Sequence, residues 1–338
     1  MYIVRMNGGL GNQTFQYIFA RYLEITTQST VLIDDSHFFL LEDEINHNIK
    51  NKPSNTQDKI THNGYEMDYV FPNIKKPMFL SEYFQPDVWR YMIDNAKAAD
   101  KKEVGVPYQL LENGMNFIVL IEAADPALFS DFSCMQLASA ANKYNTNAVK
   151  LPGNVYYYGY WINPGWFEAY KETFLKELSF RPISDPLNKQ YEYSILNSFS
   201  IGAHIRRGDF VRFGWTVDED YYNQAITHLV QISKENNIEN YMFFVFSDDI
   251  EWCRQNAVKL GLFEDRTVFV EGNYDYKNNY IDMQLMAMCD VLIPGNSSFS
   301  YLACLFNQKQ DFFSLGSRSS LSPEDIAGTD GSMWIVRE

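Results

Sequence analysis

The chain opens on a short apolar run, Tyr2–Met6, followed by a polar stretch rich in glycine, Asn7–Asn12. Beyond it Phe15, Ile18, Phe19, Tyr22 and Leu23 recur at the spacing of one helix face. Val31–Ile33 is a second apolar run, closed by Asp34 and Asp35. Strand, glycine loop, helix and strand in that order predict the opening of a doubly wound sheet. From residue 36 to about 155 the pattern weakens and reads as an insertion. Within it Glu42–Asp58 looks like polar loop and Phe117–Ile121 like a strand. Lys171–Asn197 reads as helix on either side of a break at Pro182–Pro186.

After Phe199 the pattern sharpens. Ser200–Ile205, Met242–Phe246, Val268–Val270 and Val291–Ile293 are predicted strands. Tyr222, Ala225, Ile226, Leu229 and Val230 mark a helix, Tyr280–Met288 another, and Phe299, Leu302, Ala303 and Phe306 a third. Unbroken apolar strands alternating with helices predict parallel sheets covered on both faces. The expected class is α/β, with two Rossmann-like domains whose parallel sheets face each other across a cleft. The expected bounds are 1–195 and 196–338.

Composition narrows the function. The 338 residues suffice for two domains, and a formal charge of −15 disfavours nucleic acid and anionic membranes as partners. A phosphate-bearing ligand would need a local positive site, which makes clustered arginines informative. The 23 Tyr and 25 Phe fill cores and also suit sugar and base sites. Cys134, Cys253, Cys289 and Cys304 form no C-x-x-C pair and read as buried free thiols in a reducing compartment. With five His and no H-E-x-x-H, no metal site is expected. There is no apolar run of about 18 residues, so no integral membrane segment is expected. The expectation is a cytoplasmic enzyme, with room for peripheral membrane association.

Four segments could carry chemistry. Gly8-Gly9-Leu10-Gly11-Asn12-Gln13-Thr14 follows a strand and opens a helix, whose free N–H groups can meet an anion. The spacing of Gly9, Gly11 and Thr14, with Asp34 downstream, also mimics a dinucleotide fingerprint. A tight turn without ligand is the plainer alternative. His204-Ile205-Arg206-Arg207-Gly208-Asp209 ends a strand, on the side where ligands bind in open α/β sheets. His204 and Arg206 share a face, and a guanidinium fork matches phosphate. A surface ion pair with Asp209 is the plainer alternative. Asn296-Ser297-Ser298-Phe299 can cap a helix and also offer hydroxyls and N–H groups to phosphate. Asp248 and Asp249 after a strand, and Asp282, can accept from ribose or guanine, or simply cap helices. No Lys follows the glycines to make a phosphate loop, and no G-x-S-x-G elbow occurs.

In this order the segments GGLGNQTFQY, HIRRGDF, FSDDIEW and IDMQLMAMCDVLIPGNSSFS resemble glycosyltransferase family 11, the α-1,2-fucosyltransferases. The resemblance covers residues 1–25 and 200–305 well and 36–155 poorly. It implies a GT-B fold with an acceptor-side N-terminal domain and a donor-binding C-terminal domain. It further implies inverting, metal-independent transfer of fucose from GDP-β-L-fucose to O2 of a galactose-terminated glycan, with no cofactor. On it, Arg206, with Arg207 beside it, binds the diphosphate, and His204 and Asp282 read guanine. Asp248 or Asp249 lies near ribose or base, and Ser297 and Ser298 add phosphate contacts. Asn12, in the loop of Gly9 and Gly11, faces the reaction centre.

The general base stays open. Asp209 adjoins the arginines, but a carboxylate held by a guanidinium is a poor proton acceptor. The Glu that some related fucosyltransferases carry shortly after this core is missing from Phe210–Gly214. Three rivals stand beside this reading: another GDP-sugar as donor, a nicotinamide-dependent oxidoreductase using Gly9, Gly11 and Asp34, and a non-catalytic glycan- or nucleotide-binding protein.

Overall fold

Tyr2–Arg5 forms β1, buried along its whole length, and pairs in parallel with β2 (Val31–Asp34) on one side. The structure, a computed structural model, describes residues 1–50, 64–100, 103–122, 125–137, 149–274, 277–307 and 309, the side chains of 47–50 excepted. Among these, the residues up to 180 form one compact unit and those from 181 onward a second. The helix Pro186–Leu196 therefore belongs with the second unit.

The first unit is built on a six-stranded parallel sheet in the order β3-β2-β1-β6-β4-β5, where β3 is Met78–Phe79, β4 Ile118–Glu122, β5 Cys134–Leu137 and β6 Val155–Tyr158. Three of those strands come from 36–155. The stretch read as an insertion is thus part of the sheet itself: β4 is the strand expected at Phe117–Ile121, while β3 and β5 carry too little periodicity to announce themselves. Glu42–Lys50 is helical, not loop; Glu42, Asp43 and Glu44 in its first turn suit the positive helix end. Residues 51–58 of that expected loop lie outside the described residues. One sheet face packs Ile3, Leu32, Val119, Ile121 and Tyr156 against Trp89, Met92 and Ile93 of the helix Pro86–Ala98. On the long helix Leu10–Thr27, Phe19 stacks on Trp161 with ring centroids 4.1 Å apart and meets Tyr157 edge-on.

The second unit has a four-stranded parallel sheet, β10-β7-β8-β9, with β7 at Phe199–Ile205, β8 at Tyr241–Ser247, β9 at Thr267–Phe269 and β10 at Val291–Ile293. Ile201, Ala203 and Ile205 alternate onto one face and meet Ala225, Ile226 and Leu229 of the helix Glu219–Glu235. Fully burying each of these Ile and Leu side chains contributes about 1.5–3 kcal/mol, and Leu229→Ala would cost about 2–5 kcal/mol. The alternation turns His204 to the opposite face. These two parallel α/β sheets in series are the fold class the apolar pattern predicted.

Strand order sets where ligands can approach. In the second sheet the chain runs from β7 outward to β8 and β9, then returns to add β10 on the other flank. The reversal lies between β7 and β10. In the first sheet it lies between β1 and β6. Open α/β sheets bind ligands at such points, beyond the carboxyl ends of the strands.

Candidate active site

The second unit's reversal point carries the arginines. β7 and β8 stay in register through Ile205 and Ser247, and the Ser247 hydroxyl donates to the Ile205 carbonyl at 2.6 Å, locking the two strand ends. The chain then leaves the sheet. The Arg207 N–H donates to Asp248 Oδ1 at 2.8 Å, while Asp248 Oδ2 pairs with Arg206 Nη1 at 2.7 Å. Arg206 Nη2 also donates to Asp209 Oδ1 at 2.5 Å. Burial works against the Arg206 charge, and the carboxylates of Asp248 and Asp209 outweigh it and hold the guanidinium firmly protonated. Its side chain remains 33% exposed, so it can meet a ligand. Arg207 lies 3.5 Å above the Trp252 ring and reaches Asp249 Oδ2 at 3.3 Å. Asp249 also caps the helix Ile250–Gln255. Gly208 is required here, because a Cβ would run into Asp248 Oδ2.

His204 precedes this cluster on β7. It is 6% exposed, and its Nδ1 is buried without a hydrogen-bond partner. Burial pulls its pKa down to about 4, the Asp248 charge opposing and the Arg206 charge reinforcing the shift. The imidazole is therefore neutral at physiological pH. Tyr222 donates its hydroxyl to the His204 carbonyl at 2.9 Å, and the Phe299 ring lies 5.9 Å from the imidazole. Gly295, after β10, comes so close that a Cβ there would sit 3.0 Å from the His204 carbonyl oxygen. Asn296 donates to the Trp215 carbonyl at 2.6 Å, and its Oδ1 is buried and unpartnered. Ser297 caps the helix Ser298–Phe306 through the Phe299 N–H. His204, Arg206, Arg207, Asp209, Asp248, Asp249 and Asn296–Phe299 thus gather at the carboxyl ends of β7, β8 and β10.

Asp282 is held separately. It lies on the helix Asn279–Met288 and accepts from Asn273 Nδ2 at 2.7 Å. Asn273, past the end of β9, exchanges amide hydrogen bonds with Asn188 at 2.8 and 2.9 Å. Burial lifts Asp282 to about 7, with the Asn273 bond opposing.

The glycine segment belongs to the first unit. Its left-handed residue is Gly8 (φ 79), and Gly9 is the N-cap of a helix that starts at Leu10. The loop expected to run to Asn12 ends at Gly9. Gln13 closes it early: its side chain donates to the carbonyls of Gly8 and Gly64 at 2.9 and 2.7 Å. Gly11 is helical and buried, and Asn12 sits in the first turn with its amide against Gly8. The dinucleotide alternative fails at Asp34. That carboxylate is fully buried, accepting the Tyr156 hydroxyl and, at 2.9 Å, the Ser36 N–H, so it cannot serve a ribose.

Several participants escaped the sequence reading. Tyr222 scored only as a helix core position, and Trp252 stood inside a motif whose aspartates took the attention. Asn188 and Asn273 carried no motif. The chain also contains one D-x-D triplet, Asp218-Glu219-Asp220, which the reading passed over. It is a helix cap, with Asp218 Oδ1 accepting the Asp220 N–H at 2.8 Å. Among the described residues no group of three or more His, Cys, Asp or Glu is arranged to hold a metal ion. Nor is any described helix long and apolar enough to cross a membrane.

The chain is 28% identical to an α-1,2-colitosyltransferase of Escherichia coli, over 88% of this chain and 85% of that one. It is 21% identical to the O-antigen biosynthesis glycosyltransferase WbnK of the same organism, over 98% of both. Among solved structures it is similar to the fucosyltransferase NodZ from Bradyrhizobium, with a TM-score of 0.44, 14% identity, and 90% of this chain and 92% of that one covered. The family model for glycosyl transferase family 11 matches residues 130–312, more than half of the sequence, and the chain belongs to that family of glycosyltransferases.

Proposed function

We propose that this enzyme transfers L-fucose from GDP-β-L-fucose to O2 of a terminal galactose, with inversion and without a metal ion. The observation that carries the proposal is the arginine pair at the shared carboxyl ends of β7, β8 and β10, in a chain of net charge −15. As GDP leaves, negative charge builds on the β-phosphate. Arg206 and the amino end of the helix Ser298–Phe306 stabilise that charge where many transferases use a cation. His204 Nδ1 and Asn296 Oδ1 are buried polar atoms without partners, and such atoms are costly unless a ligand completes them. Neutral His204 and the Asp282 carboxylate suit the donor edge of guanine. Asp248 and Asp249 steady the arginines, and Ser297 and Ser298 lie where a phosphate would meet the helix. Asp209 orients Arg206. Gly9, Gly11 and Asn12 serve the acceptor side from the first unit. The α-1,2 linkage follows the family and the colitosyltransferase relative.

That relative favours a second donor. Colitose is fucose without its 3-hydroxyl, so GDP-colitose presents the same diphosphate and base to the same site. Titration calorimetry with GDP, GDP-fucose, GDP-colitose and NADH, in EDTA, tests the donor class. Binding of the GDP compounds alone is the expected result, and binding of NADH alone sinks the proposal. Transfer to galactosides, with product linkage and anomeric configuration read by NMR, then tests acceptor and inversion. Loss of activity in EDTA, restored by a divalent ion, would refute metal independence.

A further inference from the structure

The first unit's sheet reverses its strand order between β1 and β6, and the features gathered beyond those strand ends serve no purpose the donor site explains. β6 and β4 run in register to Tyr158 and Ile121; Glu122 is the last residue of β4, still paired with Leu137 of β5, and Gly159, the first residue past β6, comes beside it. A Cβ on Gly159 would sit 2.7 Å from Glu122 Cβ and 2.9 Å from its Oε2, so only glycine lets the carboxylate lie there. The N–H groups of Tyr160 and Trp161 turn toward that carboxylate, with Trp161 N donating to Oε2. Trp161 pays for this geometry with a left-handed backbone (φ 56), a conformation that costs a bulky residue of order 1–3 kcal/mol. Its indole is pinned flat on Phe19, and its ring N–H is buried without a partner. Such strain at a strand end points to function more than to stability. The assembly is tied to the glycine loop: Gln16 Nε2 donates to the Gly159 carbonyl at 3.0 Å and to Asn7 Oδ1 at 2.6 Å. Tyr160, next in the chain, is 38% exposed and offers a ring face of the kind that stacks on a sugar.

We propose that this edge of the first sheet is the acceptor subsite, and that Glu122 is the catalytic carboxylate that takes the proton from the attacking sugar hydroxyl. This rests on the glycosyl-transfer reading above. In the step, the acceptor O–H bond breaks and its proton passes to Glu122. The oxygen's electron pair forms the new bond to the anomeric carbon, and the old anomeric C–O bond leaves with its pair on the β-phosphate of GDP. The carboxylate is tuned for the task. Burial raises Glu122 to about 7, and only the two backbone N–H bonds oppose the shift. A base with its pKa near the working pH is the efficient choice.

Glu122→Gln tests it, because the amide keeps an oxygen for the Trp161 N–H. The expected result is a fall in kcat of about 10²–10⁴-fold, with GDP affinity within twofold of wild type. The wild-type rate should rise with pH through an ascending limb near 7, and the variant should lose that limb. Asp282 titrates in the same range, so a limb that persists in Glu122→Gln belongs to Asp282 and overturns the proposal. A variant within fivefold of wild-type kcat overturns it as well. If Glu122→Gln fails to fold, Tyr160→Ala decides the subsite, since it trims only a partly exposed ring. It should raise the acceptor KM about tenfold with kcat and GDP affinity unchanged, and an unchanged KM refutes the subsite. Wild-type protein that does not bind GDP would overturn the donor reading itself, an outcome distinct from a wild-type enzyme that is indifferent to Glu122.

Discussion

Arg206→Ala separates chemistry from folding, and the structure sets both magnitudes. In the folded protein Arg206 pairs with Asp209 at 2.5 Å and Asp248 at 2.7 Å, yet its side chain is 33% exposed. Pairs screened to that degree contribute about 1 kcal/mol or less each, so the substitution should cost roughly 1–2 kcal/mol of a total near 5–15 kcal/mol. The variant stays folded. The transition state loses far more. Removing one positioned donor from a developing oxyanion costs about 2.7–4 kcal/mol, or roughly 10²–10³ in kcat. The two stranded carboxylates add repulsion toward the diphosphate, a few kcal/mol for charges ~5 Å apart at an effective dielectric near 20. Turnover should therefore fall by at least about 10³-fold while the urea midpoint shifts only slightly. Arg206→Lys keeps the charge and loses the two-pronged fork, so it should fall between the two. The assay is GDP release at saturating donor and galactoside, beside urea unfolding of each variant. Arg206→Ala within tenfold of wild-type kcat would show that the diphosphate lies elsewhere. A variant that does not fold would show that the arginine is structural.

Gly208→Ala drives a methyl into Asp248 Oδ2 and should cost about 1–3 kcal/mol while weakening GDP binding; unchanged affinity by calorimetry refutes the tight packing of that turn. His204 has a folded pKa of about 4 against an ordinary 6.5, so the unfolded chain binds the proton more readily between those values. Its contribution to stability is complete above pH 6.5 and is lost as pH falls toward 4, and His204→Gln should flatten that part of a melting-temperature profile. Asp282 has the opposite sign: its folded pKa of about 7 lies above the ordinary 3.8, so its contribution is largest below 3.8 and fades as pH rises to about 7. Asp282→Asn should therefore gain stability relative to wild type at pH 8 and not at pH 4, and should weaken GDP binding without matching effect on ADP; equal losses for both nucleotides would remove Asp282 from the base site.

Much of the second unit was legible in the sequence for a physical reason. Strands buried on both faces must be continuously apolar, and Met242–Phe246 and Val291–Ile293 announce themselves as such. The turns that follow β7 and these two strands carry Arg206, Asp248 and Asn296, and the strand order brings those turns together. In the first unit, β3 is two residues long and β5 has exposed residues at its centre, so neither shows a period to read. Pro86 and Pro164 each open a helix there, at the position where proline's missing N–H costs nothing.

The carboxylates were hardest to sort, because the same letter serves opposite ends. Asp34 stood where a dinucleotide acid belongs, but its oxygens are already committed to Tyr156 and Ser36, and Arg5 lies opposite it in the β1–β2 register. Glu122 stood in no motif, yet it faces a glycine that makes room for it and a tryptophan backbone bent to meet it. Sequence position ranks the first above the second. Partnership reverses the order: a carboxylate whose oxygens the fold has already committed has nothing left for a substrate, whereas one held only by backbone N–H groups, with its pKa lifted by burial, still has a proton to accept.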